Sequence, residues 1–149
     1  MKTIEYQNRK YTLLGDTQAS TFLMYLVDES NPEDYKLIYQ KLSDKNQFCM
    51  IVVAIHDWQA ELSPWAAPAI FGKHDFAGNA SLLLSELERF WDWFQSDNQV
   101  ETDRLYLCGY SLAGLFALWS SCQTNLFKKV AAVSPSVWYK GFVDYLDQH

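Results

Sequence analysis

Positive charge is what this chain of 149 residues has least of: 12 lysines and arginines stand against 18 aspartates and glutamates, a formal net charge of -6. A general nucleic-acid binder needs a cationic face to displace counterions, and no local basic run supplies one, so that class is excluded. Long apolar runs are missing too, and the longest falls far short of a membrane span. The opening stretch MKTIEYQNRKYTLLG has no apolar h-region, so no signal peptide is expected. Cysteine is sparse: Cys49, Cys108 and Cys122 are scattered without ligand spacing, which argues against both a disulfide framework and a metal site. They read as reduced thiols of a cytoplasmic protein. With no repeat and no low-complexity linker, residues 1–149 read as a single domain. What is abundant is core material, 49% hydrophobic and 16% aromatic residues, which excludes a disordered or fibrous chain.

The apolar pattern changes period along the chain. KTIEYQNRKYTLLG alternates around Gln7-Asn8-Arg9 and predicts an N-terminal hairpin. TFLMYLV, 21–27, reads as a buried strand. Asn31-Pro32-Glu33-Asp34 resembles a helix start, and Tyr35, Ile38 and Leu42 then share one helical face. FCMIVVAI, 48–55, does not alternate at all, the mark of a strand covered on both faces of a parallel sheet. From His56 to Asn79 no regular period holds, although Trp58, Trp65, Phe71 and Phe76 argue against disorder. ASLLLSELERFWDWF returns to helical spacing, with Leu83, Leu87, Phe90, Trp91 and Phe94 on one face. DRLYLCG, 103–109, LAGLFALWSSC and KKVAAVSPS complete a strand, helix, strand series. Alternating strands and helices predict a three-layer α/β fold, a mainly parallel sheet with helices on both faces.

Gly109-Tyr110-Ser111-Leu112-Ala113 matches G-x-S-x-G with alanine in the last place, followed by Gly114. A serine on a sharp strand-to-helix turn needs small neighbours for the backbone to pass, and here a strand precedes and a helix follows. Ser111 would then be a nucleophile at a helix N-terminus, where free N–H groups and the dipole favour a developing oxyanion. Leu112 would supply one oxyanion N–H. The second comes from the loop after an earlier central strand, here AIHDWQ, with Trp58 preferred to Asp57. The same residues also suit a tight turn that merely packs a helix on a strand. Cys108, beside the motif, reads as strand filling, because no neighbour would activate it.

The stretch LYLCGYSLAGLFALW…LFKKVAAVSPSVWY resembles the nucleophile region of the α/β-hydrolase superfamily, in particular the serine esterases related to enterochelin esterase and esterase D. DWQAELSPWAAPAIFGKHDFAG is similar to the substrate-side loop of some members. The likeness runs from about Thr21 to Asp144 and is most specific from Gly109 to Trp138. It implies hydrolysis of a small-molecule carboxylic ester or thioester through an acyl-enzyme at Ser111, with no cofactor, and carries over Leu112 and Trp58 as the oxyanion hole.

Acyl transfer by serine also needs a base and an orienting carboxylate, which in these hydrolases follow the serine in the order acid, then histidine. Only one strand is expected beyond Ser111, so the C-terminal strands that would carry them are missing and catalysis is expected to be impaired. Two histidines are candidates for the base. His149 follows Asp144 and Asp147 in the proper order but is the poorly anchored last residue. His56 ends the central strand but precedes the serine. His74 reads as solvated surface. Trp65, Phe71, Phe76 and Tyr110 would line a substrate pocket over Ser111, or the loop aromatics would simply cover the sheet. The rival to an esterase is a non-catalytic, hydrolase-derived domain that binds an acyl compound or self-associates. KVAAVS, 129–134, would be an unpaired sheet edge, which predicts a homo-oligomer through that edge.

Overall fold

A computed structural model describes residues 1–31, 35–70 and 74–149. The helix start expected at 32–34 lies outside them. β1 (Lys2–Tyr6) and β2 (Arg9–Leu14) form the N-terminal hairpin. Tyr6 pairs with Arg9 across a two-residue turn, and both Gln7 (φ 48°) and Asn8 (φ 67°) take positive φ. That is the backbone sense that lets a two-residue loop follow the twist of its strands.

Next come β3 (Phe22–Asp28), α1 (Tyr35–Ser43), β4 (Cys49–Ile55), α2 (Trp58–Leu62) and α3 (Ala80–Asn98). β5 (Leu105–Tyr110), α4 (Leu112–Gln123), β6 (Lys129–Val133) and α5 (Phe142–Asp147) complete the described elements. The six strands make one sheet in the order β1-β2-β4-β3-β5-β6. β4, β3, β5 and β6 run parallel, and the hairpin adds antiparallel to β4. The fold is therefore a mixed, mostly parallel sheet with helices on both faces. β6 is its outermost strand.

Strand β4 shows why its sequence lacks alternation. Cys49, Ile51, Val53 and Ile55 enter the main core with α3 and α4, while Met50 and Val52 enter a second core with Tyr35, Ile38 and Tyr39 of α1. The expected apolar face of α1 is only partly used, since Leu42 remains 41% exposed. α3 buries Leu83, Leu84, Leu87, Phe90, Trp91 and Phe94, in line with its 3.6-residue spacing.

Two short helices were not readable from periodicity. α2 has five residues, fewer than two turns, so no apolar period can register. It starts because the Asp57 carboxylate accepts the Ala60 N–H at 3.1 Å. α5 has six residues and follows Gly141 at φ 81°.

Candidate active site

The carboxyl ends of β3, β4, β5 and β6 lie at one end of the sheet, the end where open α/β sheets place their ligands. Ser111 sits there, between the last residue of β5 and the first of α4. Its backbone is at φ 59°, ψ -118°, a region costly for any residue with a Cβ. Three main-chain bonds hold it there. The Ser111 N–H donates to Val133 O at 3.0 Å, and the N–H groups of Leu115 and Ser136 donate to Ser111 O at 3.1 Å each. The strain is thus imposed jointly by β6, by α4 and by the turn after β6.

Small residues permit this turn. A Cβ on Gly109 would collide with the carbonyl of Ala113 and lie 2.8 Å from its Cβ, so only glycine lets α4 start this close to β5. A Cβ on Gly114 would meet Pro135 at 3.1 Å, which places the turn after β6 against the start of α4.

Leu112 is the first residue of α4, so its N–H has no carbonyl one turn back to bond within the helix. Trp58 opens α2, in the loop that leaves β4, and α2 packs against both α3 and α4. Leu112 and Trp58 therefore both stand at helix starts on the same side of the sheet.

The Ser111 hydroxyl has the Ser136 hydroxyl 3.3 Å away. Ser136 is 2% exposed and donates its N–H to Ser111 as well, so one residue contacts both the main chain and the side chain of the serine. Sequence reasoning gave Ser136 no role, although it lies in the S-P-S turn of the quoted likeness.

Neither candidate base meets Ser111 among the described hydrogen bonds. His56 is bound at both ring nitrogens: Nδ1 lies 2.5 Å from a Glu29 carboxylate oxygen and Nε2 2.9 Å from Asn8 O. Two acceptors require two ring protons, so this geometry holds the imidazolium. The hydrogen bond to Glu29 chiefly raises the His56 pKa above its ordinary value. The Glu29 carboxyl is lowered in turn, first through that bond. His149 donates Nδ1–H to Tyr145 O at 2.8 Å and stacks on the Tyr145 ring at 4.1 Å between centroids.

The loop aromatics pack on the segment after β6. Trp65 contacts the rings of Tyr139, Phe142 and Tyr145, and its Nε1–H donates to Lys140 O at 2.9 Å. Phe76 is buried against Tyr139, with the Trp138 ring 6.3 Å away between centroids. Phe71 lies outside the described residues. Tyr110 is 48% exposed and lines an apolar hollow of about 440 Å³ with Tyr25, Ile38, Cys108 and Val133. His74, exposed as expected, borders a separate hollow with Asp28, His56 and Trp58. Among the described residues, no group of three or more His, Cys, Asp and Glu side chains could hold a metal ion. No described helix is long and apolar enough to cross a membrane.

This architecture is the α/β-hydrolase fold, with a strained serine between a parallel strand and a helix at the carboxyl end of the parallel strands. Solved structures similar to it include an IroE-like serine hydrolase from Shewanella oneidensis, at TM-score 0.76 and 17% identity. The likeness covers 99% of this chain and 54% of that one. The siderophore hydrolase EstA from Aspergillus nidulans is similar at TM-score 0.65 and 20% identity, over 99% of this chain and 60% of that one. The fluorophosphonate-binding serine hydrolase FphF from Staphylococcus aureus is similar at TM-score 0.59 and 15% identity, over 96% and 59%. The chain thus spans little more than half the length of the hydrolases it resembles. Its sequence matches no protein-family model, and no curated protein is similar to it.

Proposed function

We propose that this chain carries the nucleophile of a serine esterase. Ser111 Oγ attacks the carbonyl carbon of a small carboxylic ester or thioester, and its proton passes to the leaving group. The C–O or C–S bond breaks to release an alcohol or thiol, and water then hydrolyses the acyl-enzyme. Leu112 and Trp58 N–H groups bind the oxyanion, and no cofactor is needed. The single observation that carries this reading is the backbone of Ser111, held at φ 59° between β5 and α4 by three main-chain bonds. A non-Gly residue kept in that region by its surroundings is a mark of a functional site.

With the contacts described here, Ser111 acts slowly in this reading. Among the described hydrogen bonds the Ser111 hydroxyl meets Ser136, which cannot serve as a base near neutral pH, and not an imidazole. An oxyanion hole and pocket without a base still accelerate reaction over water on the order of 10³-fold in triad enzymes. The Ser136 contact also favours a second reading, a non-catalytic domain that binds an acyl compound. Prolonged incubation with excess fluorophosphonate probe, read by intact mass, separates the two. Slow formation of one adduct, lost in Ser111→Ala, is expected. No adduct on the folded chain would overturn the esterase reading and leave the acyl-binding one. Rapid labelling would show that a base is present after all.

Two smaller points belong to the proposal. The outer edge of β6, beside exposed Val133 and Tyr110, pairs with a second copy of the chain. Light scattering that gives a monomer at all concentrations would remove this. The three free thiols suit a reducing compartment such as the cytoplasm.

A further inference from the structure

Arg9 is the only charged side chain among the fully buried described residues, at 4% exposure, and it stands just after the β1–β2 turn. Burying a guanidinium is costly unless it is hydrogen-bonded, and here each of its three nitrogens has an acceptor. Nη1 donates to Ala54 O at 2.8 Å, near the end of β4. Nε and Nη2 donate to Glu86 of α3 at 3.0 and 2.6 Å, and Nη2 also pairs with Glu61 of α2. The other Glu61 oxygen is aimed elsewhere. It accepts the N–H of His56 at 2.8 Å and of Asp57 at 3.0 Å. A second tie runs in parallel, because His56 Nε2–H donates to Asn8 O in the same turn.

The Glu61 and Asn8 bonds of this network end on His56 and Asp57, the first two residues after β4, and Trp58 follows directly as the third. Burial alone would raise the Glu61 carboxyl, but the Arg9 guanidinium and the two amide donors together hold it below its ordinary value. A charged acceptor on two successive N–H groups makes stronger bonds than a neutral one would.

We propose that the β1–β2 turn is a clamp on the loop after β4, in which Arg9 and Glu61 are positioning residues that aim the Trp58 N–H at the oxyanion formed on Ser111. This rests on the reading of Ser111 as nucleophile and Trp58 as second donor. The hairpin lies on the far side of β4 from β5, so neither of its strands pairs with the strand that carries Ser111. Neither residue touches the substrate.

Two variants test the clamp. Glu61→Gln removes the charge in nearly the same shape. The double variant Arg9→Met with Glu61→Leu removes both partners, which for buried pairs commonly preserves stability, so at least one folded variant is expected. Amide hydrogen exchange is followed at His56, Asp57 and Trp58, with Met50–Val53 of β4 as internal reference. Fluorophosphonate labelling of Ser111 is timed in parallel. In a folded variant, exchange at His56 and Asp57 should rise about 10-fold or more while the reference amides stay unchanged. Labelling should slow on the order of 10-fold, a fraction of what losing a whole oxyanion donor costs. Unchanged exchange in the loop would overturn the clamp. Released amides with an unchanged labelling rate would overturn the positioning role. If the wild-type chain does not label at all, the reading of Ser111 has failed, and the exchange data alone then decide whether the clamp exists.

Discussion

Exchanging Ser111 for alanine and for glycine weighs the strain stored at the candidate site. Both variants lose the hydroxyl and its 3.3 Å contact with Ser136, so that loss cancels in the comparison. What remains is the Cβ. At φ 59°, ψ -118° alanine keeps the steric cost of about 1–3 kcal/mol that serine carries, and glycine does not. Against this, glycine loses more backbone entropy on folding, about 0.5–1 kcal/mol. The difference leaves Ser111→Gly more stable than Ser111→Ala by roughly 0 to 2.5 kcal/mol, or up to about 10 °C in midpoint for a chain of this size. At an ordinary position in a strand or helix the order is reversed, with alanine ahead by about 0.5–1 kcal/mol. Urea titrations of the two variants with a common m-value supply the measurement. Alanine more stable than glycine by 0.5 kcal/mol or more would refute the claim that this turn is strained, and with it the main support for a nucleophile. Neither variant should form the fluorophosphonate adduct.

Two further outcomes follow from the same geometry. Gly109→Ala should destabilise by about 2 kcal/mol or more, because the added methyl meets the Ala113 carbonyl, a main-chain atom that moves only if α4 shifts. Chemical denaturation reads the loss, and labelling of Ser111 should fall with it. His56, whose pKa is raised by Glu29, contributes stability that is fully present below its ordinary pKa of 6.5. That contribution disappears as pH rises through the higher folded value. An NMR titration of the His56 ring should therefore show a midpoint above 6.5 in the wild type, falling toward the ordinary value in Glu29→Gln. A wild-type midpoint at or below 6.5 would contradict the ion pair.

Local spacing along the chain determined the layers of this protein. The unbroken run Met50–Ile55 demanded cover on two faces, and α1 with α3 and α4 provides it. The spacing of Leu83, Leu87, Phe90 and Phe94 marked α3, and the small residues around Ser111 marked a turn between β5 and α4. These features were legible because strand and helix periods, and the room a backbone needs to turn, are written within a few residues. The expected nucleophile and its helix-start neighbour Leu112 lie on such a local signal. The partners of the polar side chains do not. Arg9 reaches Glu86 across 77 positions, Trp65 reaches Lys140 across 75, and Ser136 meets Ser111 across 25. No period links such pairs, and each depends on which elements the sheet order sets side by side. His56 was read as a candidate base because it ends a central strand. Only the packed molecule brings Glu29 and Asn8 to its two nitrogens, and two acceptors at hydrogen-bond distance decide its charge more firmly than its place in the chain.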